Sequence, residues 1–266
     1  MASVGQRTSC SSLSRRRIYT TSYRDAVVSI ARIHTETVNT WSHLLAALWF
    51  TAYAARFAST VTSLSSPGAA AVLTYLVANA FCFACSTLYH IFADHGTADV
   101  WLGLDHVGIV CAIWASSMSF AALCPGWPSS ERQGSILLVT AAAMVCCMFL
   151  FTGWLCGSSG RSVRVSTHVV MGSVAAVPAL RYWHLHTAGH DTGFLADFVA
   201  MTIVNGSGGA IYATNLLDKT MKKTVGVSGA SHQAMHVLAV GGALLYTRGL
   251  MRAYSQHDTL DKGRLL

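Results

Sequence analysis

Ser231-His232-Gln233-Ala234-Met235-His236 opens an apolar run that continues to Tyr246 and reads as a membrane helix. On a helix, positions i and i+4 share a face, so His232 and His236 can both reach one metal ion. Ionisable groups at membrane depth are costly, face the protein interior and mark function. The same spacing also serves a pair of interhelical hydrogen bonds, so the choice between them falls to the rest of the chain.

Composition makes this an integral membrane protein. The chain has 266 residues, 53% of them hydrophobic and only 11% charged, with a mean hydropathy of +0.45. Soluble domains carry about 25% charged residues. A net charge of +7 in such a chain sets topology and meets anionic lipid; nucleic acid is not implied. Of the eight cysteines, Cys82, Cys85, Cys111, Cys146 and Cys147 lie inside apolar runs. The mid-helix pair Cys82 and Cys85 therefore reads as packing, with neither metal nor redox chemistry implied.

Residues 1–30 form a basic segment with an Arg15-Arg16-Arg17 run and no apolar core of a secretory signal, expected to be largely disordered and cytosolic. Its last part, from about residue 23 to 33, is amphipathic and suits the membrane interface. Residues 31–252 hold seven runs of spanning length, at 41–61, 69–90, 105–124, 135–156, 165–183, 195–216 and 232–252. Turn residues such as Ser65-Ser66-Pro67-Gly68 and Pro125-Gly126-Trp127-Pro128 separate them. Residues 253–266 make a short C-terminal tail. The expected fold is an all-α, seven-transmembrane helix bundle. The N-terminal segment shares a side with the loops after spans two, four and six, and Lys and Arg cluster there on the N-terminal segment and on the loops after spans four and six, which puts the N-terminus in the cytosol and the C-terminus outside.

The alternation of spans brings the polar candidates together. His90 ends span two, Asp105 begins span three and His232 begins span seven, so all lie at one membrane face with His236 one turn deeper. The start of span one lies there too, with Glu36, Asn39 and His43 along one helical face. Ser86 sits one turn before His90. Three histidines with an open position suit Zn²⁺, which lowers the pKa of a bound water to about 7. No Glu lies between His232 and His236, so a base has to come from another helix. Asp105 has two readings: it holds the water and takes its proton, or it orients a ligand imidazole. His34 and His43 read as braces of span one and His168 as packing between helices, while His95 and His106 flank the site. Gly206, Gly208 and Gly209 suit close helix packing.

The motifs carry a resemblance. Arg32-Ile33-His34-Thr35-Glu36-Thr37-Val38-Asn39-Thr40-Trp41-Ser42-His43 is similar to the entry of span one in the progestin and adiponectin receptor/haemolysin III family, most of all its adiponectin-receptor branch. Ser86-Thr87-Leu88-Tyr89-His90 resembles the family's S-x-x-x-H, Leu104-Asp105-His106-Val107-Gly108-Ile109 its L-D-Y-x-G-I, and Ser231–His236 its S-H-Q-x-x-H. The resemblance implies zinc held by His90, His232 and His236, Asp105 reaching it through water, and hydrolysis of the ceramide amide bond. It also implies that Arg164 sits near the fatty-acid product. The chain departs from the pattern at Asn215-Leu216-Leu217-Asp218-Lys219-Thr220, which lacks the family's P-E-R, and at Phe120-Ala121-Ala122, where the receptor branch has tyrosines.

Two functions are expected from this. One is a zinc-dependent, ceramidase-like hydrolase whose partner is a membrane lipid, ceramide or fatty acid. The other is a seven-helix signalling receptor in which zinc only clamps the bundle. Plasma membrane and endomembrane suit both equally.

Overall fold

The computed structural model describes residues 19–61, 63–150, 160–185, 193–224 and 229–263. The Arg15–Arg17 run and the end of the fourth predicted span, 151–156, lie outside the described residues.

The chain is an all-α bundle. A short helix α1 (Tyr23–Val28) and a 3-10 turn (Ser29–Ala31) realise the interfacial stretch. Seven long helices follow: α2 (Thr37–Thr60), α3 (Pro67–Phe92), α4 (Ala98–Leu123), α5 (Ser129–Leu150), α6 (Gly160–Leu185), α7 (Gly193–Thr214) and α9 (Ala230–Gly263), with a short α8 (Leu216–Thr224) between the last two. Six of the long helices are long and apolar enough to cross a membrane. The seventh, α2, buries Asn39, Thr40 and His43 in its first turns, and these inward-facing polar groups lower its hydropathy. Two details differ from the sequence reading. The helix of the third span begins at Ala98, about two turns before Asp105, and the last helix continues past residue 252 to Gly263.

Local chemistry explains the helix ends. Ser66 accepts the Ala69 N–H at 3.2 Å and Pro67 stands in the first turn, a start signal for α3. Asn215, at φ 50°, breaks the chain between α7 and α8 in the left-handed region that Asn tolerates.

α4 packs against α3, α5 and α6, while α9 packs against α7, α2, α3 and α4. Tyr75, Tyr246, Phe50, Phe83 and Phe120 form the main core. Interhelical hydrogen bonds supplement dispersion where no hydrophobic effect separates helix from lipid. Tyr75 donates to Ala243 O at 2.7 Å, Ser117 to Ala175 O at 2.8 Å, and Trp114 Nε1 to Thr140 Oγ1 at 2.9 Å. Phe120, at the place where the receptor branch carries tyrosines, is fully buried against Tyr182, Phe194 and Phe198.

Close approach uses glycine selectively. A Cβ on Gly108 would stand 2.9 Å from the Cys82 backbone, so α3 and α4 meet there, and one on Gly208 would stand 3.2 Å from Leu238. Gly206 and Gly209 have open space around them, which corrects their expected packing role; they share α7 with Gly208 but face away from α9. All six described cysteines are free.

Short connections reverse the chain, so the start of α2, the end of α3 and the starts of α4, α6 and α9 lie at one end. There α1 covers the α3–α4 turn: Thr20 N donates to Asp94 O at 3.0 Å, and Ala26 packs with Ile91 and Phe92.

Candidate metal centre

His90 comes from the last turns of α3, and His232 and His236 come from the first turns of α9. Their ligand atoms all lie within 4.8 Å of one another. His90 and His236 are each 1% exposed, and their Nε2 atoms face each other at 3.1 Å. The donor set fits a metal. Glu36 Oε2 stands 2.8 Å from His90 Nδ1, so the proton sits on Nδ1 and the Nε2 lone pair points into the cluster. Three neutral imidazoles converging on one point suit a borderline cation such as Zn²⁺.

Glu36 precedes α2 and is the hinge of this arrangement. Its Oε2 also accepts from Asn39 Nδ2 at 2.9 Å. Burial raises its pKa, but the hydrogen bonds with His90 and Asn39 outweigh that and lower it to about 2.

Asp105 is buried in α4, outside the group of converging ligand atoms, with its carboxylate facing Ser86 and within electrostatic reach of His90. Ser86, one turn before His90, thus serves Asp105. Arg164 on α6 lies within electrostatic reach of Tyr89, His106 and His168. His106 Nδ1 and His168 Nε2 pair at 2.8 Å, which explains the packing role expected of His168. His43 stacks on His236 with ring centroids 3.8 Å apart and so braces a ligand as well as its own helix. His34 Nε2 meets Ser29 O at 3.1 Å, and His95 stacks on Tyr23 at 4.1 Å.

Three participants escaped the sequence reading. Arg161 Nη2 donates to Tyr212 O at 2.7 Å and to Asn215 Oδ1 at 3.0 Å, with its guanidinium 4.4 Å from the Tyr212 ring centre. The Tyr212 ring in turn meets His232 edge-on at 5.0 Å. Asp218 of α8 binds the start of α9. With Gly229 and His232 these residues line a polar cavity of about 340 Å³ beside the cluster. Arg161 meets Tyr212 and Asn215 from a helix about fifty residues away, and Asp218 meets the start of the following helix, so no helical spacing announces them.

A family model described as haemolysin-III related matches residues 31–247. The mouse progestin and adipoQ receptor family member 3 is 28% identical over 233 residues, 82% of this chain and 73% of that protein. The Drosophila melanogaster adiponectin receptor protein is 23% identical over 239 residues, 86% of this chain and 53% of that protein. Heptahelical transmembrane protein 5 of Arabidopsis thaliana is 29% identical over 178 residues, 63% of this chain, and the match spans 46% of that protein's length.

Proposed function

This chain belongs to the haemolysin-III-related family, and from that premise we propose that it is a zinc-dependent hydrolase of membrane lipid amides, ceramide-like in class. The observation that carries the reading is the convergence of His90, His232 and His236 beside the buried carboxylate of Asp105. Zinc in that cluster would supply a Lewis acid for the amide carbonyl and acidify water at neutral pH.

The chain's own residues do the rest. Glu36 and Asn39 hold the His90 ring, and the His43 stack keeps His236 in place. Asp105 takes the proton of the attacking water and returns it to the amine nitrogen as the C–N bond breaks and the C–O bond forms. Ser86 holds the Asp105 carboxylate in position. Arg164 receives the carboxylate of the released fatty acid, as a guanidinium does best. Substrate reaches the site sideways from the bilayer, and the surrounding helices exclude bulk water from the apolar tail.

A receptor with a purely structural metal is the second reading, favoured by the similarity to the Drosophila melanogaster adiponectin receptor protein. Asp105 separates the two. Ceramide turnover by the detergent-purified protein is the test, comparing wild type with Asp105→Asn at matched zinc content. Turnover in the wild type that collapses in the variant supports hydrolysis. No turnover from zinc-loaded wild type, over several acyl lengths, moves the assignment to the receptor.

A further inference from the structure

Of the three histidines, His232 is the one whose imidazole makes no side-chain hydrogen bond among the described residues; the rings of His90, His236 and Tyr212 pack against it. It stands in the first turn of α9, where the backbone N–H groups have no intrahelical acceptor and helices fray. Something outside α9 has to hold that turn.

The start of α8 does so, and reciprocally. Asp218 Oδ1 accepts the N–H groups of Gly229 at 2.6 Å and Ala230 at 3.0 Å, and Oδ2 accepts that of Ser231 at 3.3 Å. In return Ser231 Oγ accepts the N–H groups of Leu217 at 3.1 Å and Asp218 at 3.2 Å. Each residue therefore caps the helix of the other. The carboxylate also faces the positive end of the α9 dipole. Gly229 makes the turn into the cap at φ +83°, a conformation that side-chain-bearing residues rarely adopt. Ser231, 1% exposed, is the residue directly before His232, so the cap sets where that imidazole starts.

We propose that Asp218 and Ser231 are positioning residues for the metal centre: their reciprocal cap holds the first turn of α9 so that His232 reaches the point set by His90 and His236. The inference rests on the metal reading of the cluster and adds to it a structural determinant on α8.

The test is Co²⁺ affinity of the full chain in detergent, read by chelator competition and by the visible absorption of the bound ion. Asp218→Ala and Ser231→Ala are each expected to weaken binding about 10- to 100-fold, the range for residues that orient a ligand. In a His232→Ala background, Asp218→Ala is expected to change affinity by less than about threefold, because the residue acts through His232. Equal losses in both backgrounds would mean general destabilisation and overturn the proposal. So would a folded Asp218→Ala that binds Co²⁺ like wild type. If Asp218→Ala does not fold, Asp218→Asn carries the same comparison. Wild type that binds no Co²⁺ would sink the metal centre itself, and the cap's role with it; wild-type binding with an indifferent Asp218 sinks the cap alone.

Discussion

Glu36 presents one carboxylate oxygen to both the His90 imidazole and the Asn39 amide, so a single residue fixes the tautomer of a candidate metal ligand. Glu36→Gln keeps an acceptor but removes the charge that makes His90 a better donor to metal. Metal affinity is expected to fall about 10- to 100-fold, and chelator competition on the purified variant measures it. An unchanged affinity would mean that the His90 ring is set by packing alone. At this scale the sequence was informative about residue type and face. Glu36, Asn39 and Ser86 were legible as neighbours of the site because helical spacing turns them the same way. Asp218 and Arg161 were not, since their partners lie on other helices.

Helix contacts carry the next level. Gly108 lets α4 approach α3, and these two helices bring Asp105 to Ser86 and His90. A methyl group there meets backbone, which cannot swing aside. Gly108→Ala is expected to cost about 1–3 kcal/mol, seen as a lower unfolding temperature, and to reduce turnover because Asp105 is displaced from His90. The cap between α8 and α9 yields a pH prediction. Burial raises the Asp218 pKa, but the Ser231 hydroxyl and the N–H groups of Gly229, Ser231 and Ala230 together outweigh it and bring it below the ordinary value. With the folded pKa depressed, the unfolded chain takes up the proton first. The stabilisation is therefore complete above the ordinary aspartate value of about 3.9 and is lost as pH falls through the folded value. Thermal unfolding from pH 7 down to the acid range should show a loss below about pH 4 that is smaller in Asp218→Asn. Identical profiles would show that the cap is not titrating.

For the whole molecule, the candidate metal ligands join α3 to α9, helices far apart in the chain. Metal binding should therefore stabilise the fold, by about 2.7 kcal/mol at a free concentration one hundred times the dissociation constant. A chelator should lower the unfolding temperature of wild type and leave His232→Ala unmoved; a chelator without effect on wild type would count against the centre. The positive-inside distribution predicts that the site end faces the cytosol. In intact cells, a cysteine introduced at Thr20 should resist a membrane-impermeant thiol reagent, while one at Ser65, in the α2–α3 connection, should react. The reverse pattern would turn the protein over.

The sequence by itself determined the membrane class, the seven long helices and the end of the bundle at which His90, Asp105, His232 and His236 meet. Runs of apolar residues and the parity of spans suffice for those, because both depend only on position along the chain. The rotation of each helix about its axis was decided by tertiary structure alone. In lipid most helices are apolar on every face, so periodicity does not say which side meets a neighbour. That rotation brings His106 to His168, aims Asp105 at Ser86 and lets Asp218 and Ser231 cap each other's helices.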